Sequence, residues 1–220
     1  MRYLFVLALV AAACGGEDRP EGDCVPGSSN RYLPFEVGNS WSYETYDAAA
    51  PAEVTPKSQA VTEERNHPDD GMPMFVQETT KANGTTINWL RLDGDRLVRL
   101  LQIDIDLDGN EERTTVYEPP RLRLDEAPAR VIVGATWQES YMEIATDAMT
   151  QDEVRRSITE NWEVKEVDMA CPGEFGDFDC MYVQRAQAGI PPKGFWFARG
   201  MGKVLEQGGK VETLLSCSVN

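Results

Sequence analysis

The run Asp104-Ile105-Asp106-Leu107-Asp108-Gly109-Asn110 carries the sharpest chemical pattern in the chain. Alternating carboxylates followed by glycine let oxygens converge on a hard cation. Asp104, Asp106, Asp108, Asn110 and Glu112 therefore form a candidate calcium site. The spacing follows the start of an EF-hand loop, but its twelfth position is Thr115 rather than a bidentate Glu, and no helical pattern flanks it. The competing reading is an acidic turn at the end of a strand, because Asp-Gly-Asn suits a turn with no metal.

Aromatic residues give a second candidate set. Trp41, Trp89, Trp137 and Trp196 could line a pocket for an apolar ligand or a stacked sugar, although core packing is the commoner fate of such residues. His67 is the only histidine and sits in the polar turn Asn66-His67-Pro68-Asp69-Asp70-Gly71, where a solvated side chain is expected. No GxSxG elbow occurs. Gly200-Met201-Gly202 and Asn83-Gly84-Thr85 read as turns rather than as phosphate or glycan sites. With 37 acidic residues, a glycan hydrolase using two carboxylates stands as the enzymatic alternative, but no pair is singled out and no catalytic residue is assigned.

Cys24, Cys171, Cys180 and Cys217 make an even set that suits two disulfides in an oxidising compartment. Three connectivities are open. Cys171 and Cys180 flank a turn-rich loop whose ends can meet, which favours Cys171–Cys180 with Cys24–Cys217. A zinc site is disfavoured by the absence of CxxC and by the single histidine.

The fifth cysteine, Cys14, is of a different kind. Met1-Arg2 supplies a positive charge, residues 3–13 an apolar run too short to span a bilayer, and Ala11-Ala12-Ala13 the small residues that precede Cys14. Ala11-Ala12-Ala13-Cys14 resembles the lipobox of bacterial lipoproteins, with Ala in place of the usual first Leu. The resemblance implies removal of residues 1–13, lipid on Cys14 and anchoring to a membrane of the cell envelope. Gly15, standing where Asp would retain an enteric lipoprotein at the inner membrane, points to the outer membrane. The alternative is an ordinary secretory signal cut after Ala-x-Ala. The net charge of −16 argues against a nucleic-acid partner and against the domain lying flat on anionic lipid.

The elements that must position these residues read as strands in two similar sets. Val37-Gly38-Asn39-Ser40-Trp41 recurs as Val133-Gly134-Ala135-Thr136-Trp137, Met74-Phe75-Val76-Gln77 as Met181-Tyr182-Val183-Gln184, and Arg96-Leu97-Val98 as Lys203-Val204-Leu205. The last two pairs share one offset and the first a shorter one, so the second copy carries an insertion, placed at the Cys171–Cys180 loop. Strands are expected at 40–46, 58–64, 74–80, 85–92 and 96–103, then at 136–144, 154–167, 180–187, 194–198, 203–207 and 210–216. Residues 147–160 admit a helix, but Val154, Ile158, Trp162 and Val164 share the parity of a long strand. Residues 106–130, with Pro119-Pro120 and Pro128, read as loop with one short strand at Arg121–Leu124.

The fold class is thus all-β with little helix: an antiparallel curved sheet or open barrel of two tandem meanders, about 37–104 and 133–216. Residues 14–31 form a flexible tether and 32–220 a single domain. Arg31-Tyr32-Leu33-Pro34-Phe35-Glu36-Val37-Gly38-Asn39-Ser40-Trp41-Ser42-Tyr43 with Gly200-Met201-Gly202-Lys203-Val204 resembles a recurring envelope β domain of bacterial lipoproteins, for which no catalytic residues are established. The leading expectation is a non-enzymatic, lipid-anchored binding or scaffold module, with an apolar ligand or an envelope protein as partner. A calcium-stabilised structural module is a further alternative.

Overall fold

The computed structural model describes residues 24–68 and 70–220, so the expected signal peptide (1–13) and Cys14 lie outside the described residues. Twelve strands follow in order: β1 (Ser40–Asp47), β2 (Ala50–Asn66), β3 (Pro73–Lys81), β4 (Gly84–Asp93), β5 (Arg96–Ile105), β6 (Glu111–Asp125), β7 (Thr136–Asp147), β8 (Glu153–Ala170), β9 (Asp179–Gln187), β10 (Ile190–Ala198), β11 (Gly202–Gln207) and β12 (Lys210–Ser218). Each pairs antiparallel with the next, and β12 closes on β1, with Trp41 opposite Cys217 and Asp47 opposite Lys210. Closure removes the two exposed edges that an open barrel would leave, which corrects the open alternative.

Two further expectations need correction. β6 is a full strand of 15 residues, not a loop with a short strand. Its prolines sit where the β5–β6 register shifts, between Arg99↔Arg121 and Leu101↔Val116, so no ladder hydrogen bond is lost there. The 147–160 segment is a turn followed by β8, with no helix. With β6 included, the first half has six strands, as the second does.

The recurring motifs occupy strands six apart. Trp41 and Trp137 lie in β1 and β7, Gln77 and Gln184 in β3 and β9, Val98 and Leu205 in β5 and β11. Their entry geometry also matches. Gly38 N–H donates to Val61 C=O and Val61 N–H to Asn39 C=O, at 2.8 and 2.9 Å. Gly134 and Val164, then Val164 and Ala135, repeat that exchange at the same distances.

Alternate turns lie at opposite ends of an up-and-down barrel. One end carries tight hairpins such as Asp47–Ala50 and Lys81–Gly84. The other is closed by residues 24–36, which sequence reading placed largely in the tether. Cys24 is disulfide-bonded to Cys217 in β12, with Cα atoms 4.7 Å apart. Gly27 N–H donates to Gly200 C=O, and Gly200 N–H to Arg31 C=O. The backbone amides of Tyr32 and Leu33 donate to the two carboxylate oxygens of Glu126. Tyr32 is fully buried, and Phe35 packs edge-on against Phe75. Cys171–Cys180 ties off the β8–β9 loop at the same end and sets Phe175 into the core.

Candidate functional site: the barrel interior

Side chains fill the interior of a barrel of about eight strands, and more strands leave space. Here a cavity of about 250 Å³ lies inside the barrel. Its composition follows from strand parity. In β4, Thr86, Asn88 and Leu90 face it, and in β3, Gln77, Thr79 and Lys81. Leu33, Phe35, Trp41, Leu90, Leu97 and Phe197, near the closed end, give it an apolar floor. Lys81 is exposed and Lys193 half-buried, so the hairpin end is its mouth. Gln102 also borders two neighbouring hollows, one toward Tyr117, Glu143 and Arg156 and one toward Asp104 and Arg113, which widen that mouth.

Charge dominates the lining. Lys57, Lys81, Arg99, Arg121, Arg123, Arg185, Lys193 and Lys203 border the cavity, against Glu206 and Glu212. The interior of a strongly acidic chain is therefore cationic. Two networks organise it. In the first, Lys203 Nζ donates to Glu206 and to Glu212, each at 2.6 Å, while Lys193 donates to Glu206 at 2.9 Å and Lys57 to Glu212 at 2.5 Å. Both ammonium groups, Lys57 and Lys203, sit over the Tyr43 ring at 5.5 and 5.3 Å. Burial raises the carboxyls of Glu206 and Glu212, but Lys203 and the second lysine of each outweigh it and hold both below the usual carboxylate range. Burial, with repulsion from Lys203, brings Lys57 down to about 8.

The second network centres on Glu160, whose side chain is almost fully buried. Its Oε1 accepts from Arg121 at 2.7 Å and from the Tyr141 hydroxyl at 3.1 Å, with Arg185 Nε 3.6 Å away. Arg99 lies opposite Arg121 across the β5–β6 ladder and donates to Gln102 at 2.5 Å. Arg123, two residues along the same face, is the guanidinium nearest the closed end. Burial and the charges of Arg99, Arg121 and Arg185 lower it to about 9.

Of the four tryptophans expected on one face, only Trp41 borders the cavity. Its indole N–H donates to Met201 C=O at 2.5 Å, and Gly202 (φ +103°) leaves room for the ring, since a Cβ there would lie 2.9 Å from Trp41 Nε1. Trp89 packs beneath Arg65, Trp137 stacks on Trp162, and Trp196 stacks on Tyr182 at 4.2 Å. Trp89 and Trp196 are one residue out of phase with the cavity-facing Asn88, Leu90, Phe195 and Phe197.

The acidic run forms the β5–β6 turn. Asp106 Oδ1 accepts from the amides of Asp108 and Asn110, at 2.9 and 2.8 Å. Asp104 instead accepts from Arg113, Gln102 and Thr86. The carboxylates of Asp104, Asp106 and Asp108 do not converge with Glu112, and no group of three or more His, Cys, Asp or Glu side chains is placed to hold a metal among the described residues. His67 Nδ1 lies 3.3 Å from Asp70, outside the cavity. Both favoured disulfides are present.

No family model matches this sequence, and no curated protein does. Solved structures are similar in fold. A protein of Bacteroides fragilis, described as exported and of YmcC-like fold, matches with a TM-score of 0.52 at 10% identity, over 86% of this chain and 99% of that one. A protein of Parabacteroides distasonis, described as a lipoprotein, has a TM-score of 0.40 at 10% identity, over 87% of this chain and all of the other. At such identity the first likeness concerns the fold alone.

Proposed function

We propose that this protein is a lipid-anchored component of the bacterial cell envelope, held at the outer membrane through Cys14, whose barrel binds a small polar solute in its interior. The observation that carries the binding half is the cavity lining: lysine, arginine and amide side chains occupy inward positions that a purely structural barrel would fill with apolar ones. The same lining turns the expected apolar ligand into a polar one. Cys24 lies at the closed end, so the chain joins the barrel opposite the mouth. The matched strands six apart support an origin by duplication of a six-strand unit.

Hydrolysis by paired carboxylates is less well supported. Glu206 and Glu212 do face one another across β11–β12, but shared lysine contacts keep both ionised, whereas glycoside cleavage needs one carboxyl to hold a proton. Two measurements test the proposal. Cys14→Ser should move the protein from the membrane to the soluble fraction with an unchanged melting temperature, and retention in the membrane fraction would contradict the anchor. A melting-temperature screen with sugars, sugar acids, amino acids and phosphates should show stabilisation by at least one class, and a screen without any shift would contradict the binding role.

A further inference from the structure

We infer that the deep part of the cavity is an anion seat, in which Arg99, Arg121 and Arg123 hold a carboxylate or phosphate group of a small solute entering between Lys81 and Lys193. This rests on the binding role above and goes beyond it by naming the chemistry of the ligand. Each carboxylate of the interior networks already has a cationic partner, although Glu160 Oε2 accepts no hydrogen bond. Glu206 and Glu212 are held by Lys57, Lys193 and Lys203. Glu160 is held by Arg121 and Tyr141, with Arg185 close by.

No carboxylate remains for the other two guanidinium groups. Arg99 is 8% exposed, has only the neutral groups Gln102 and Tyr117 as polar partners, and leaves its buried Nε without an acceptor. Arg121 Nε is likewise buried without one. Arg123 makes no hydrogen bond or ion pair among the described residues; Glu206 attracts it from a distance, but its neighbours Arg99, Arg121 and Arg185 repel it more strongly. Such a cluster weakens a fold, since apolar residues of similar volume would be more stable there. An oxyanion between Arg99 and Arg123 would satisfy the orphaned donors in the forked geometry that guanidinium offers. The cationic lining also focuses a field that draws anions through the mouth. At about 250 Å³ the cavity suits a small solute rather than a polymer segment.

The test uses the full-length protein in detergent at constant ionic strength, titrated by calorimetry with inorganic phosphate, glucuronate and glucose. Phosphate or glucuronate should bind and glucose should not, and Arg123→Gln and Arg99→Gln should each weaken that binding at least tenfold. Arg123→Gln without anion should melt no lower than the wild type, so lost binding cannot be ascribed to unfolding. Anion binding equal in the wild type and both variants would overturn the seat, because the ion would then lie elsewhere. Binding of glucose alone would overturn the anion assignment and leave the binding role standing. If neither anion binds while another class stabilises the protein in the wider screen, the seat fails alone; if nothing binds in either experiment, both readings fail.

Discussion

Lys203→Met should destabilise the protein by about 3–5 kcal/mol, the usual result of removing one partner from a buried charge network. Lys203 is the shared donor to Glu206 and Glu212, which sit directly opposite each other on β11 and β12. Without it, two buried carboxylates repel across the ladder, and Lys193 and Lys57 are left with one each. In a chain of this size the melting temperature should fall by roughly 6–20 °C. Removing the network whole, with Lys57→Met, Lys193→Met, Glu206→Gln and Glu212→Gln added to Lys203→Met, should recover most of the loss, since none of its charges is then left unpaired; no recovery would assign the loss to packing. The same network sets an acid limb. Both glutamates titrate below their ordinary value of 4.5 in the folded state, so their contribution is complete above that pH and is lost as pH falls through the folded values. Urea denaturation between pH 7 and 3 should therefore show a steep acid decline in the wild type and a shallower one in Lys203→Met.

Cys217→Ser should cost more than Cys171→Ser. The Cys24–Cys217 bond spans 193 residues, and Cys171–Cys180 spans 9. Loop-closure entropy gives about 5 kcal/mol for the long closure and about 2.5 kcal/mol for the short one. The long closure also pins residues 24–36, whose Tyr32 and Phe35 are buried at the closed end and whose Leu33 and Phe35 floor the cavity. The larger loss should thus come with weaker solute binding, whereas Cys171→Ser should leave binding nearly unchanged. Equal melting shifts, or binding lost only in Cys171→Ser, would contradict this division.

Strand positions and the disulfide pairing were legible because each rests on local chemistry: period-two alternation, Asp-Gly turns and a short loop between cysteines. β6 was not, because Pro119-Pro120 reads as a strand breaker unless a register shift absorbs it, and that shift depends on β5. Closure was hidden for a similar reason. The β1–β12 ladder joins the two ends of the domain, and no local signal encodes it.

The cavity residues were missed because alternation says which residues share a face but not which face is inside. Arg121-Leu122-Arg123-Leu124 reads as charged-out and apolar-in. In the structure Leu122 and Leu124 pack with Tyr32 and Val98, while Arg121 and Arg123 border the cavity. The recurrent tryptophans misled for the same reason: Trp89 and Trp196 share a parity with each other, but it is the outward one. A usable signal was present in the common parity of Arg113, Thr115, Tyr117, Arg121 and Arg123, an inner face that runs through the proline pair.

The central claim, a hydrated cationic interior in an acidic barrel, is tested most directly by a crystal structure at a resolution that shows ordered solvent. Water or solute should occupy the space between Lys57, Gln77, Arg99 and Lys193, with at least one acceptor in contact with the Arg99 or Arg123 guanidinium. Side chains packed across that space with no solvent, or Arg123 paired to a carboxylate of the protein, would contradict the account.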